Sequence, residues 1–120
     1  MDNNGWTAFD VQKPERNACI YDYLLVWHVF RGVVSEHWES RNQTAMYTHW
    51  KTMPRKGWIC SKDKAPTQND ADVMNCVLAR HDIDGIKVTG WHQIKIDKHF
   101  THWMPTPLPP VDGAAYRKRF

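Results

Sequence analysis

The four residues Tyr47-Thr48-His49-Trp50 return, 53 positions later, as Phe100-Thr101-His102-Trp103. An aromatic ring followed by Thr-His-Trp is a run of strand formers, and strict alternation puts Phe100 and His102 on one face and Thr101 and Trp103 on the other. Prolines follow at 105, 107, 109 and 110, where a ladder cannot continue. A chain that closes twice on the same strand is built twice, and any fold for it has to accommodate two similar halves.

The rest of the chain keeps the same spacing. Gly5-Trp6 matches Gly57-Trp58, and Pro14 matches Pro66, at an offset of 52. One inserted residue raises the offset to 53, and Leu25 then falls on Leu78, His28 on His81, Gly32 on Gly85, Val33 on Ile86 and Trp38 on Trp91. Each copy opens with Gly-Trp, passes a polar loop around proline and enters a strand-forming run. Tyr21 to Phe30 is apolar on both faces over most of its length, as a buried strand is. Its counterpart is Val73 to His81. Gly32 and Asp84-Gly85 supply the positive φ of tight hairpin turns, after which the chain returns as Val33 to Trp38 or Ile86 to His92. A short helical turn fits near Asp70 to Asp72.

These features predict an all-β fold: a compact pseudo-twofold domain of two duplicated three-stranded meanders, as a small sandwich or barrel. A copy of roughly 50 residues is marginal alone, so the two are expected to share one core. The reading is one domain over 1–120, with repeat one at 5–54, repeat two at 57–110 and a basic tail at 111–120.

Composition narrows the function classes. A net charge of +3 is too small to argue for nucleic acid, although it grows as the seven histidines protonate. Cys19, Cys60 and Cys76 are odd in number and form no Cys-x-x-Cys, so neither a disulfide framework nor a zinc cage is expected, and a reduced cytoplasm suits them. No leader-like apolar run opens the chain and no window approaches a membrane span. No nucleophile elbow, phosphate-cradling glycine loop or zinc-deaminase pattern occurs, so no catalytic residue, cofactor or metal is assigned. The histidines are read as satisfying backbone carbonyls beside their neighbouring tryptophans.

The closing segment Thr101-His102-Trp103-Met104-Pro105, with Pro107-Leu108-Pro109-Pro110, resembles the C-terminal signature of a small domain family of unknown function common in phage and prophage genomes of enterobacteria. Members of that family open on a tryptophan, pass a proline loop and a strand, and close on Thr-His-Trp-Met-Pro-Leu-Pro. Gly57 to Pro110 follows that order, with Thr106 interposed before the final prolines. The first copy departs further: Lys51-Thr52 precede Met53-Pro54 and the proline-rich end is missing. The resemblance implies a phage or prophage origin and a setting in the host bacterial cytoplasm; it carries over no chemistry.

Candidate surfaces come from where the copies differ. Trp27 aligns with Arg80, and both residue types are frequent interface hot spots. Lys51, Arg55 and Lys56 form a basic junction, and Arg117, Lys118 and Arg119 a basic tail. These eight residues are the expected partner-binding set. The expected function is a non-enzymatic accessory protein that blocks a host macromolecule, a protein or protein–nucleic acid complex of a defence system, as an anti-CRISPR-like inhibitor does. A first alternative sequesters a nucleotide in a pocket lined by His49, Trp50, His102 and Trp103. A second binds nucleic acid directly, through basic residues interleaved with rings.

Overall fold

The structure is a computed structural model that describes residues 3–111. Its strands form two four-stranded antiparallel sheets, and helix is nearly absent. The first sheet contains β1 (Thr7–Ala8), β2 (Tyr23–His28), β3 (Gly32–His37) and β4 (Tyr47–Lys51). The second contains β5 (Ile59–Cys60), β6 (Cys76–His81), β7 (Gly85–Gly90) and β8 (Phe100–Pro105), with a one-turn helix α1 (Gln93–Ile96) between its last two strands. The fold is all-β. The duplication is visible at the level of register, since Trp27 faces His49 as Arg80 faces His102, and Ala8 faces His49 as Cys60 faces His102.

The strand order corrects the meander. It is β1-β4-β2-β3 in one sheet and β5-β8-β6-β7 in the other, so the third long strand returns beside the first instead of flanking the second. The apolar content of the first long strand explains this. Leu24, Leu25 and Val26 are fully buried and Trp27 is 2% exposed, and a strand buried on both faces belongs between two partners. The opening Gly-Trp segment, expected as a loop, also contributes a two-residue edge strand in each copy.

The face assignment within Thr-His-Trp is corrected too. Pairing runs from Arg80↔His102 directly to His81↔Phe100, leaving Thr101 as an extra residue, and Thr48 is skipped in the same way. This is a β-bulge, which shifts the alternation by one. Phe100 and Trp103 therefore lie in one core cluster with Val77, Ala79 and Ile94. Each bulge threonine pairs with its own histidine, Thr48 Oγ1 with His49 Nδ1 at 2.8 Å and Thr101 Oγ1 with His102 Nδ1 at 3.0 Å. The tryptophan that follows donates its indole N–H to the proline loop of its own copy: Trp50 to Gln12 O and Trp103 to Lys64 O, both at 2.8 Å. Thr-His-Trp is thus a bulge plus a loop anchor.

His28 and His81 cap the hairpin turns. His28 Nδ1 accepts from the N–H groups of Phe30 and Arg31, and His81 Nδ1 from those of Ile83 and Asp84. Both rings therefore accept backbone N–H instead of donating to carbonyls, which corrects the expectation for these two histidines. Gly32 and Gly85 sit at φ 80° and 86°, the positive values the tight turns require.

The chain divides into two compact units, Met1–Met53 with Pro107–Phe120 and Pro54–Thr106. The division is displaced from the sequence repeats by their proline ends. Trp6, which opens repeat one, donates its indole N–H to Leu108 O at 2.7 Å; Trp58, which opens repeat two, donates to Pro54 O at 3.0 Å. Each opening tryptophan is held by the proline end of the other repeat. The expected turn near Asp70 is a 3-10 turn at Gln68–Asp70, closed by a capping box between Thr67 and Asp70.

A candidate binding face on the second unit

Residues directly opposite one another on neighbouring strands share a face, so Cys60, His102 and Arg80 form one row across β5, β8 and β6. All three are half-buried. The Arg80 guanidinium lies over the Trp58 ring, 5.7 Å from its centroid, at the outer range of a cation–π contact. Trp58 is itself half-buried, and Arg55 and Lys56 in the loop before it are exposed. The second unit therefore presents a tryptophan, an arginine laid on it and two cations of the adjoining loop.

The corresponding row of the first unit is Ala8, His49 and Trp27, and its two longer side chains are buried. His49 is 5% exposed, and the Trp27 ring meets Trp6 edge-on with centroids 6.0 Å apart. The expectation that Trp27 binds another molecule is corrected: the central strand of an apolar sheet takes its ring into the core, away from the surface. Arg80 replaces it on an equivalent strand, and its charged end stays at the surface beside the equivalent of Trp6.

The remaining predicted residues divide as follows. Lys51, in the first unit, is half-buried and donates from Nζ to Asn4 O at 3.0 Å. Gly5 sits at φ 85°, the left-handed region that favours glycine; an added Cβ would stand 2.0 Å from Nζ, the mobile end of the Lys51 side chain, which can swing away. Arg55 and Lys56 join Arg80 in the second unit. Arg117, Lys118 and Arg119 lie outside the described residues.

The pocket set is corrected within each unit. His49 and Trp50 are adjacent on β4, and His102 and Trp103 adjacent on β8, so each pair is split between two faces. Trp103 is fully buried with its indole N–H engaged, and His49 is buried as well. Among the described residues no group of three or more His, Cys, Asp or Glu side chains is placed to hold a metal ion, and Cys19, Cys60 and Cys76 form no disulfide. Burial raises the thiol pKa of Cys19 and of Cys76. No helix of the described residues is long and apolar enough to cross a membrane.

Three acids of the second unit, Asp82, Asp84 and Asp97, meet a lysine and two imidazoles around its hairpin turn. His81 Nε2 is 3.0 Å from Asp97 Oδ2, His99 Nδ1 is 2.9 Å from Asp82 Oδ1, and Lys87 Nζ is 3.6 Å from Asp84 Oδ2. The backbone N–H of His99, followed by the His81 ring, holds the Asp97 carboxyl below the usual carboxylate range. Nδ1 of His81 accepts the turn N–H groups and Nε2 lies against Asp97, so both ring nitrogens are engaged.

Sequence reasoning leaves Cys60 out of this face and does not join Trp58 to Arg80. Trp58 matches Trp6 in the repeat, and the difference lies in what stands against the ring, Arg80 in one unit and Trp27 in the other. Pairing each opening tryptophan with the Trp27/Arg80 position would have exposed that signal. Compared with family models, curated proteins and solved structures, the chain matches none.

Proposed function

We propose that this chain is a non-enzymatic binding protein that occupies a surface of a host macromolecule through the Trp58, Arg80, Arg55 and Lys56 face of its second unit. The observation that supports this reading is the replacement of a closed aromatic contact, Trp6 on Trp27, by a half-open one, Arg80 on Trp58, at equivalent places. A planar guanidinium on an indole beside two further cations suits a carboxylate- or phosphate-bearing surface. The resemblance of the closing segment to a phage and prophage family supplies the setting: an accessory protein in the bacterial cytoplasm whose target is a protein, or a protein–nucleic acid complex, of a host defence system. Blocking is steric and needs no turnover.

The test is affinity for the target recovered with the protein at low salt from a lysate of bacteria that carry defence systems. Arg80→Ala and Trp58→Ala are each expected to weaken binding about tenfold or more, close to 1.4 kcal/mol. Lys51→Ala, on the other unit, leaves binding unchanged. Unaltered affinity for both of the first two variants would sink the assignment. A passenger of a few hundred daltons in native mass spectrometry would favour the sequestering alternative.

A further inference from the structure

The segment after β8 belongs to no strand, yet Pro110 is fully buried and its neighbours are held by side chains of the chain's opening residues. Trp6 Nε1 donates to Leu108 O at 2.7 Å and Asn4 Nδ2 to Pro109 O at 2.8 Å. The N–H of Val111 donates to Asn3 Oδ1. Prolines have no N–H, so across Pro109 and Pro110 the backbone offers carbonyls alone until Val111 restores a donor. The opening residues present donors where the segment has acceptors and an acceptor where its first donor returns. Each of Leu108 and Pro109 precedes a proline and is thereby pushed into the extended region.

We propose that the Trp6 seat of the first unit is a receptor for a proline-rich segment of another protein, with residues 107–111 as its occupant in cis. The seat reads two carbonyls and one N–H; within the same segment Pro110 is fully buried, while Leu108 is 69% exposed. That pattern is x-Pro-Pro-x and does not depend on the rest of this chain. Recognition of a preformed extended proline segment by an indole N–H on an aromatic floor, here Trp6 against Trp27, is an established mode of peptide binding. The second unit has the weaker version: Trp58 reaches Pro54 O, but Lys56 stands where the first unit has the Asn4 amide. This inference concerns a different surface from the Arg80 face and does not rest on it.

The probe is a synthetic peptide, Pro-Thr-Pro-Leu-Pro-Pro-Val, followed through the indole N–H resonance of Trp6. In the full chain carrying Pro109→Gly and Pro110→Gly, the peptide is expected to bind and shift that resonance. In the unaltered chain the tethered segment competes at an effective concentration on the order of millimolar, so apparent affinity falls about tenfold for a peptide that binds at about 0.1 mM and about twofold for one that binds at about 1 mM. Asn4→Leu in the glycine variant weakens the peptide further. No shift at millimolar peptide, or equal binding of a peptide with Ala-Ala in place of Pro-Pro, overturns the proposal. A concentration-dependent dimer of the unaltered chain that the peptide dissolves makes the occupant a second copy and overturns it also. Should the glycine variant fail to fold, the unaltered chain at tens of millimolar peptide gives the decision: displacement of the Val111 amide resonance supports the seat, and its persistence removes it.

Discussion

The two units build the same row of the same sheet and finish it differently. In the first, His49 and Trp27 are buried beside a half-buried Ala8 and Trp27 meets Trp6; in the second, Cys60, His102 and Arg80 are all half-buried and Arg80 lies over Trp58. The strands, the bulges, the Thr–His pairs and the indole anchors are common to both, so they are properties of the fold. What differs is one side chain on the central strand and the exposure of its neighbours. A duplicated fold thus separates its own requirements from whatever else the chain does: a residue kept in both places has a role in each, and a residue changed in one is released from that role.

Exchanging the two residues tests this separation most severely. Trp27→Arg places a cation in a core position that is 2% exposed and removes the Trp6 contact, so a loss of about 3–5 kcal/mol is expected in urea unfolding. Arg80→Trp enlarges a half-exposed site beside a ring and is expected to cost less than about 1 kcal/mol, or to stabilise by an added aromatic contact. Equal losses would mean that the two rows are not alternatives and that Arg80 is as structural as Trp27.

A smaller effect separates the two indole anchors. Trp103→Phe keeps a ring in a fully buried position but leaves Lys64 O without its donor, at an expected cost of about 1–3 kcal/mol. Trp50→Phe removes the equivalent bond to Gln12 O at an exposed place, where water replaces the donor, and is expected to cost about 0.5 kcal/mol. Reversal of that order would show that the motif serves the first copy more than the second.

Much of this was legible before any coordinates. The Thr-His-Trp repeat, the glycines at 32 and 85 and the doubly apolar run around Leu25 led to two similar sheets, because turn chemistry and burial are local properties. The strand order was not legible, since Tyr47 to Lys51 has the same composition whichever neighbour it pairs with. The bulge was hidden for a related reason: Thr101 looks like a regular strand residue until its partner strand skips it. The candidate face was half legible. Arg80 stood out against Trp27, but which of the two lies in the core depends on what surrounds the row and not on residue type. The exchange of proline ends was invisible, because an indole donor paired across a hundred residues leaves no mark in spacing.

The tips of the two hairpins carry the finest distinction. Tyr47 hydroxyl donates to Glu36 Oε2 at 2.6 Å in the first unit, and burial together with that carboxylate pushes the phenol up to about 12. In the second unit Phe100 has no hydroxyl, and an aspartate, Asp97, lies against the turn histidine instead. In the first unit a proton on His28 Nδ1 would face the N–H groups of Phe30 and Arg31. For His28 burial, then Arg31, lowers the pKa below the ordinary histidine value. A lowered folded-state value means that the unfolded chain takes up the proton first, so stability rises with pH through that range. The contribution of His28 is complete above the unfolded value of about 6.5 and is lost as pH falls through the folded one. Proton NMR of the imidazole resonances is expected to show His28 titrating below about pH 6.5, with exchange protection of the Phe30 and Arg31 amides lost in the same step. His28→Asn, whose side-chain oxygen can accept from the same turn, should keep part of that protection and remove its pH dependence. If the two amides stayed protected after His28 had titrated, the imidazole would not be the cap, and the likeness between the two tips would be one of sequence alone.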